Sequence, residues 1–303
     1  MFVQEPQKLS PHVHFVGSPM ACNFVIDAPE PALVDAGFTF SAPGLQRDLT
    51  RILGGPERLR YLFLTHSHYD HIGCVSFLKR LNARLIVAGH PRLQKVFDNP
   101  RAMALIRSLN AQAERLAPLP EEFREKTKIG ELHLDRPLED GERIQLGGDL
   151  VLQVLYSPGH TRDCAWYYLL PDRVLFGGDG LGVYTGDGSV MAEFTSSFED
   201  LMASLRRLQS LEIDVLALPH SGVVVGRGDV ESHIQKTLDE NQRYHDRILR
   251  GLEEHAGNIQ AVVDDMTREE YETRGIYQPE EAFRLNLEAM VRAVIREQEK
   301  KKE

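Results

Sequence analysis

The feature that most restricts this chain is YLFLTHSHYDHIG, residues 61–73. It opens with the apolar, β-prone composition of a buried strand, and His66, His68, Asp70 and His71 follow at once. Imidazole and carboxylate groups suit zinc, iron or manganese, and no thiolate stands among them. Successive side chains of a strand alternate in direction, so His66 and His68, two apart at a strand's end, point the same way. Asp70 and His71 fall at the turn into the next helix, where the chain can swing them round to a second ion beside the first. The segment therefore demands a fold in which a buried strand ends at an open edge and a helix starts there.

Later segments repeat the pattern. LVLQVLYSPGHT runs out at His160, RVLFGGDG at Asp179 and DVLALPHSG at His220, each after an apolar run and each beside Gly or Pro. Gly and Pro permit sharp turns and close backbone approach. Strand ends on one edge of a sheet converge in space, which is where α/β sites are built.

The rest of the text supports an α/β core. HVHFVG, CNFVID and PALVDAG read as strands, SAPGLQRDLTRIL as a helix, LRYLFLT as a strand, the stretch through Phe77 and Leu81 as helix, and ARLIVAG as strand. Residues 92–128 break that rhythm. Met103, Ile106, Asn110, Ala113 and Leu116 recur at helical spacing and APLPEE closes the run with two prolines, so a helical insertion lying over the core is expected. Strand-like text resumes with RIQLGG, LVLQVLY, WYYLLP and RVLFGGD, a helix is expected near 197–209, and DVLALP closes the series. From residue 229 the chain turns to long charged helices with apolar stripes at Val230, Ile234, Leu238, His245, Ile248 and Leu252, and at Phe283, Leu287, Met290, Val291 and Val294. The domains expected are thus a core over 1–228, including the insertion at 92–128, and a helical extension over 229–303 that caps the active site or forms a dimer surface.

THSHYDH followed in order by His160, Asp179 and His220, with an early LVDAG, resembles the metallo-β-lactamase superfamily over about residues 10–225. The resemblance implies its αβ/βα sandwich, two mixed β-sheets flanked by helices. It also implies two divalent metal ions per chain (zinc, iron or manganese): His66, His68 and His160 on the first, Asp70, His71 and His220 on the second, and Asp179 bridging both. Asp70 would in addition orient, or take the proton of, the metal-bridging hydroxide that attacks a substrate carbonyl. The HYDH core, helical insertion and helical tail look like a thioesterase of that superfamily that doubles as a regulator.

The activity expected from this resemblance is hydrolysis of a small-molecule acyl substrate: a thioester of CoA or glutathione type, an ester or a lactone. A thiolate or carboxylate departs as an anion that a metal can hold, whereas an amide nitrogen must be protonated as it leaves. A mononuclear iron persulfide dioxygenase, a phosphodiesterase or nuclease of the superfamily, and a regulatory binding protein with incidental hydrolysis stand as alternatives. An antibiotic-degrading lactamase is disfavoured, since secreted members carry a signal peptide and usually lack the aspartate matching Asp179. The formal net charge of -10 would repel a phosphate backbone, so no nucleic-acid partner is expected. MFVQEPQKLSPHVHF has no basic start before an apolar run, and no stretch reaches about 18 consecutive apolar residues, so a cytoplasmic protein without membrane contact is expected. The amphipathic tail leaves room for a homodimer.

Other candidates carry ordinary readings. Cys22, Cys74 and Cys164 are too widely spaced for a CxxC pair and read as small buried residues. His12, His14, His90, His133, His233 and His255 have no ligand-like surroundings, and His245 on its helical stripe reads as a hydrogen-bonded core or interface residue. Tyr69 and Tyr184 are candidates for oxyanion contact but read more simply as packing. Asp35 of LVDAG fits equally a structural turn or a support behind a ligand. Gly177 and Gly178, with no following Lys-Ser/Thr, read as a tight bend and not a phosphate loop.

Overall fold

The structure, a computed structural model, describes residues 1–115, 117, 119–271, 273–276 and 280–301. In chain order β1 (Phe2–Val3), β2 (Val13–Ser18), β3 (Ala21–Ile26) and β4 (Ala32–Val34) lead to α1 (Ala42–Leu53), β5 (Tyr61–Phe63), α2 (Tyr69–Ile72), α3 (Val75–Leu81) and β6 (Ile86–Gly89). The insertion supplies α4 (Arg92–Phe97), α5 (Pro100–Ala113) and α6 (Glu121–Thr127). Then follow β7 (Arg136–Pro137), β8 (Arg143–Gly147), β9 (Leu150–Tyr156), β10 (Ala165–Leu170), β11 (Val174–Phe176), β12 (Val183–Tyr184) and β13 (Val190–Met191). The chain ends with α7 (Phe198–Leu208), β14 (Val215–Ala217), β15 (Val223–Val225), α8 (Arg227–Glu254), α9 (Ile259–Glu270) and α10 (Glu280–Lys300). Leu116 and Pro118, expected to close the insertion's helix, lie outside the described residues, as do Lys302 and Glu303 of the charged tail.

These elements form two compact units. Met1–Tyr156, Asp163–Gly178 and Ile213–Arg227 make the first; Ser157–Arg162, Asp179–Glu212 and Gly228–Glu303 make the second. The first unit is a sandwich of two mixed sheets, one ordered β2-β3-β4-β5-β6-β7 and the other β1-β15-β14-β11-β10-β9-β8. Phe15, Phe24 and Phe63 from one sheet and Tyr167 and Phe176 from the other share one apolar core. On the outer face of the first sheet Val25, Leu33, Leu62 and Val87 pack with Leu45 and Leu49 of α1 and Phe77 and Leu78 of α3. Strand β5 runs parallel to both its neighbours, with Leu62 opposite Leu33 and Val87. It is buried on both faces, which is why its text is a continuous apolar run and does not alternate.

Two hydrogen bonds fasten the sheets together where β5 ends. The Tyr167 hydroxyl donates to the Leu64 carbonyl at 2.6 Å, and Ala165 N–H donates to the Thr65 carbonyl at 2.8 Å. Tyr167 is fully buried, and burial pushes its phenol well above its usual pKa, so it stays a donor. The chain therefore leaves β5 at a fixed height, with His66 next in line.

In the insertion, Asn99 caps α5 by accepting from the Arg101 and Ala102 amides, and Pro100 occupies the first turn, where no amide proton is needed. Met103, Ile106, Asn110 and Ala113 face inward, as their spacing predicts. Strands β1, β7, β12, β13 and β15 were not foreseen: two or three residues are too few to show a period.

In the second unit α10 buries the whole predicted stripe from Phe283 to Val294. Helix α8 presents a more polar face than its apolar residues suggest: His233, Thr237, Asn241 and Tyr244 are buried with Val230, Ile234, Leu238 and Ile248, while His245 and Leu252 are half-buried. Arg274 binds Glu240 at 2.6 Å, Glu270 at 2.9 Å and the Val190 carbonyl at 3.0 Å, tying α8, α9 and the β12–β13 ribbon at one point.

His233 donates from Nε2 to the Leu181 carbonyl (2.8 Å) and accepts at Nδ1 from the Tyr184 hydroxyl (3.0 Å). Both partners suit a neutral ring, and burial pushes its pKa down to about 4. A histidine whose folded pKa lies below its unfolded value gives stability that is fully present above about pH 6.5 and drains away as the pH falls toward 4. Between about pH 7 and pH 4 the wild-type chain should lose on the order of 3 kcal/mol more stability than His233→Gln, as read by urea unfolding. Equal losses in both would remove this account of acid sensitivity.

Candidate metal centre

Strand β4 gives way to Asp35, whose φ of 56° lies in the left-handed region that few residues besides Gly adopt. The turn aims its carboxylate at the end of β5. Asp35 accepts from Thr65 N–H at 2.8 Å, from the Thr65 hydroxyl at 2.8 Å and from His71 Nδ1 at 2.8 Å. Asp35 thus shapes the turn and also stands behind His71.

That bond puts the His71 proton on Nδ1 and leaves the Nε2 lone pair 3.9 Å from Asp70 Oδ1. His220 repeats the arrangement: Nδ1 donates to the Met20 carbonyl at 2.6 Å, and Nε2 lies 3.3 Å from Asp70 Oδ2. A carbonyl only accepts, so this tautomer is fixed by chemistry. One ligand atom each from Asp70, His71 and His220 lies within 4.8 Å of the others. His66, fully buried, has Nδ1 3.1 Å from the Thr65 hydroxyl; its ring lies 4.6 Å from that of His68 and 4.0 Å from that of His71. The first unit thus gathers His66, His68, Asp70, His71 and His220.

Close backbone lacing holds this group. Gly73 N–H donates to Gly37 O at 2.8 Å and Ala36 N–H to His71 O at 2.7 Å. A Cβ at Gly73 would sit 2.5 Å from both Gly37 O and Thr39 N, so no larger residue fits.

The second unit holds the other two candidates. His160 Nδ1 donates to the Glu193 carbonyl at 2.8 Å, and its Nε2 lies 3.4 Å from Asp179 Oδ2. Gly159 has φ +135°, and a Cβ there would stand 2.4 Å from the Leu201 backbone of α7. Its carbonyl accepts from Ser196 N–H and Ser197 N–H at 3.0 Å each, which fixes the residue before His160.

The donor set fits a divalent cation. A histidine lone pair and a carboxylate oxygen are both acceptors, so they need a cation or a proton between them. Tetrahedral zinc with bonds of about 2.0–2.1 Å has ligand atoms roughly 3.3 Å apart, and the His220–Asp70 and His160–Asp179 separations are 3.3 Å and 3.4 Å.

The remaining candidates have other partners. Tyr184 binds His233, Tyr69 packs edge-on against Phe38 with ring centroids 5.7 Å apart, and His245 stacks on Phe198 at 4.1 Å. His12 pairs with Asp172, His90 stacks on Tyr156, and His255 pairs with Asp265. The three cysteines are buried, which raises the thiol pKa values of Cys22 and Cys74. Sequence reasoning missed Thr65, Met20 and Glu193. Thr65 was findable, because it abuts His66 and is the obvious partner for a buried Asp35. The other two act through backbone carbonyls that any residue could supply.

The chain belongs to the metallo-β-lactamase superfamily, which its residues 22–220 match. Among proteins of known name it is similar to an atrochrysone carboxyl ACP thioesterase of Aspergillus fumigatus, 25% identical over 199 residues, or 65% of this chain and 48% of that protein. It is also similar to a hydroxyacylglutathione hydrolase of Rhodopseudomonas palustris, 28% identical over 157 residues, 52% of this chain and 46% of that one. The chain thus spans about half the length of these two relatives. A solved metallo-β-lactamase family protein from Thermus thermophilus shares the fold over 98% of this chain and 93% of its own, with a TM-score of 0.65 at 20% identity. Among the described residues no helix is long and apolar enough to cross a membrane.

Replacing Asp35 with Ala would strand the Thr65 amide and the His71 Nδ1–H in a dry interior, at about 1–3 kcal/mol for each orphaned group. A fall of about 3 kcal/mol in unfolding free energy is expected for metal-free Asp35→Ala in urea, with a smaller fall for Asp35→Asn. A midpoint equal to the wild type would contradict the role given to this carboxylate.

Proposed function

We propose that the chain is a dinuclear metal-dependent hydrolase that cleaves a carbonyl ester of a good leaving group, foremost a thioester of CoA or glutathione type. The observation that carries this reading is the repeated pairing of a histidine Nε2 with a carboxylate oxygen at metal-ligand spacing, the opposite ring nitrogen being anchored each time. In this reading His66, His68 and His160 would hold one ion, Asp70, His71 and His220 the other, and Asp179 would serve both. When bound, such ions supply an acidified water and a polarised acyl carbonyl.

The chain's own residues do the rest. Asp35, Met20 and Glu193 keep the protons of His71, His220 and His160 on Nδ1, which leaves each Nε2 available as a donor atom. Asp70, with Oδ1 toward His71 and Oδ2 toward His220, would orient the attacking water and accept its proton. No side chain need protonate a departing thiolate, which favours thioesters over amides. The relatives named as an ACP thioesterase and a hydroxyacylglutathione hydrolase support the same substrate class. The net charge of -10 counts against a nucleic-acid substrate.

Elemental analysis of the purified protein, with assays on an acyl-CoA, S-lactoylglutathione, a lactone and bis-p-nitrophenyl phosphate, tests the reading. About two metal ions per chain and preference for a thioester are expected. His68→Ala should lose metal and activity together, by more than the roughly 10–100-fold that a residue behind a ligand costs. Unchanged metal content and turnover in that variant would sink the assignment.

A further inference from the structure

We propose that Asn110 is a positioning residue through which the helical insertion fixes Asp70. This inference rests on the reading that Asp70, His71 and His220 together hold a metal ion. At the sequence level Asn110 is one more position on the inward stripe of α5, yet it is polar and 2% exposed. Its amide is used at both ends. Oδ1 accepts from Thr39 N–H at 3.1 Å, and Nδ2 donates to the Tyr69 carbonyl at 2.8 Å. The orientation is dictated by the partners, since a backbone N–H only donates and a carbonyl only accepts.

The Tyr69 carbonyl belongs to the peptide that leads into Asp70. Helix α2, residues Tyr69–Ile72, is a single turn and too short to hold itself rigid. Its direction must come from outside, and Asn110 is the side chain that grips its first carbonyl. The same amide holds Thr39, whose hydroxyl also donates to Glu114 at 2.6 Å. Around this clamp Phe38 stacks on Phe40 with centroids 4.6 Å apart, and both pack with Tyr69 and Ala113. The 37–41 segment, the first turn of α2 and the inner face of α5 are thereby joined at one point.

The consequence falls on Asp70, whose two oxygens lie 3.9 Å and 3.3 Å from His71 Nε2 and His220 Nε2. Metal–ligand bonds tolerate shifts of only about 0.2 Å. Rotation of the Tyr69 peptide would move the carboxylate by more than that, while His71, tied separately to Asp35, would stay in place.

The test uses full-length protein stripped of metal and titrated with zinc against a chromogenic chelator, alongside urea unfolding of the stripped form. Asn110→Asp still accepts from Thr39 N–H but offers nothing to the Tyr69 carbonyl. Asn110→Ala removes the bond to Tyr69 together with those to Thr39, whose hydroxyl also lies 3.1 Å from Oδ1. Wild-type protein should take up two zinc ions. The weaker binding step should loosen by about tenfold or more in Asn110→Asp and Asn110→Ala, with kcat falling more than KM changes. Wild-type zinc affinity in Asn110→Asp, with only a lower unfolding midpoint, would reduce Asn110 to a packing role and leave the hydrolase reading intact. A wild-type chain that takes up no zinc would overturn that reading and this inference with it.

Discussion

The carboxylate of Asp35 is the constraint on which the first unit depends. It is 3% exposed, and a carboxylate taken out of water is costly unless its lone pairs are filled. Here they are filled by the Thr65 amide, the Thr65 hydroxyl and His71 Nδ1, so one side chain joins the end of β4, the end of β5 and the helix after it. The left-handed backbone at Asp35 is tolerable because those bonds over-determine it. Thr65 is used from every side, since its carbonyl is also claimed by the Ala165 amide of the opposite sheet. The histidine-rich segment therefore begins from a point held by both layers of the sandwich.

A second regularity follows from the anchoring of the histidines. His71 is held by a carboxylate, while His220 and His160 are held by main-chain carbonyls of Met20 and Glu193. A ring nitrogen bound to an obligate acceptor cannot become the lone pair, so the choice of tautomer is made by the fold. The lone pairs are already directed in the folded chain, and little reorganisation is left for a bound cation to impose.

Most of the fold was readable because its causes are local. Strand β5 announced itself as an unbroken apolar run since it is buried on both faces, and α5 and α10 showed their stripes since their inward faces are mostly apolar. The side chains now gathered in the first unit were readable for the same reason: His66, His68, Asp70 and His71 come directly after the apolar run of β5, and His220 after an apolar run and a proline. What escaped was set by partners distant in sequence. The buried face of α8 carries His233, Thr237, Asn241 and Tyr244, each satisfied by hydrogen bonds, so a stripe drawn from apolar residues alone was rotated toward His245 and Leu252. Met20 and Glu193 contribute carbonyls, which leave no mark on residue type. Asn110 was hidden by its own good spacing, because a polar residue on an apolar stripe looks like an imperfection until its two partners are seen.

Gly159 links His160 to a helix far along the chain. With the Leu201 backbone of α7 where a Cβ would stand, the loop before His160 is moulded against that helix, and no side chain cushions the contact. The helix and the loop must then vary as a pair. Exposed residues such as Ala203 and Arg206 can vary in type, since they face away from the contact. A single residue inserted near the start of α7 would turn Leu201 by about 100° and put a different surface against the glycine. This chain should therefore accept many changes of composition in α7 and almost none of phase.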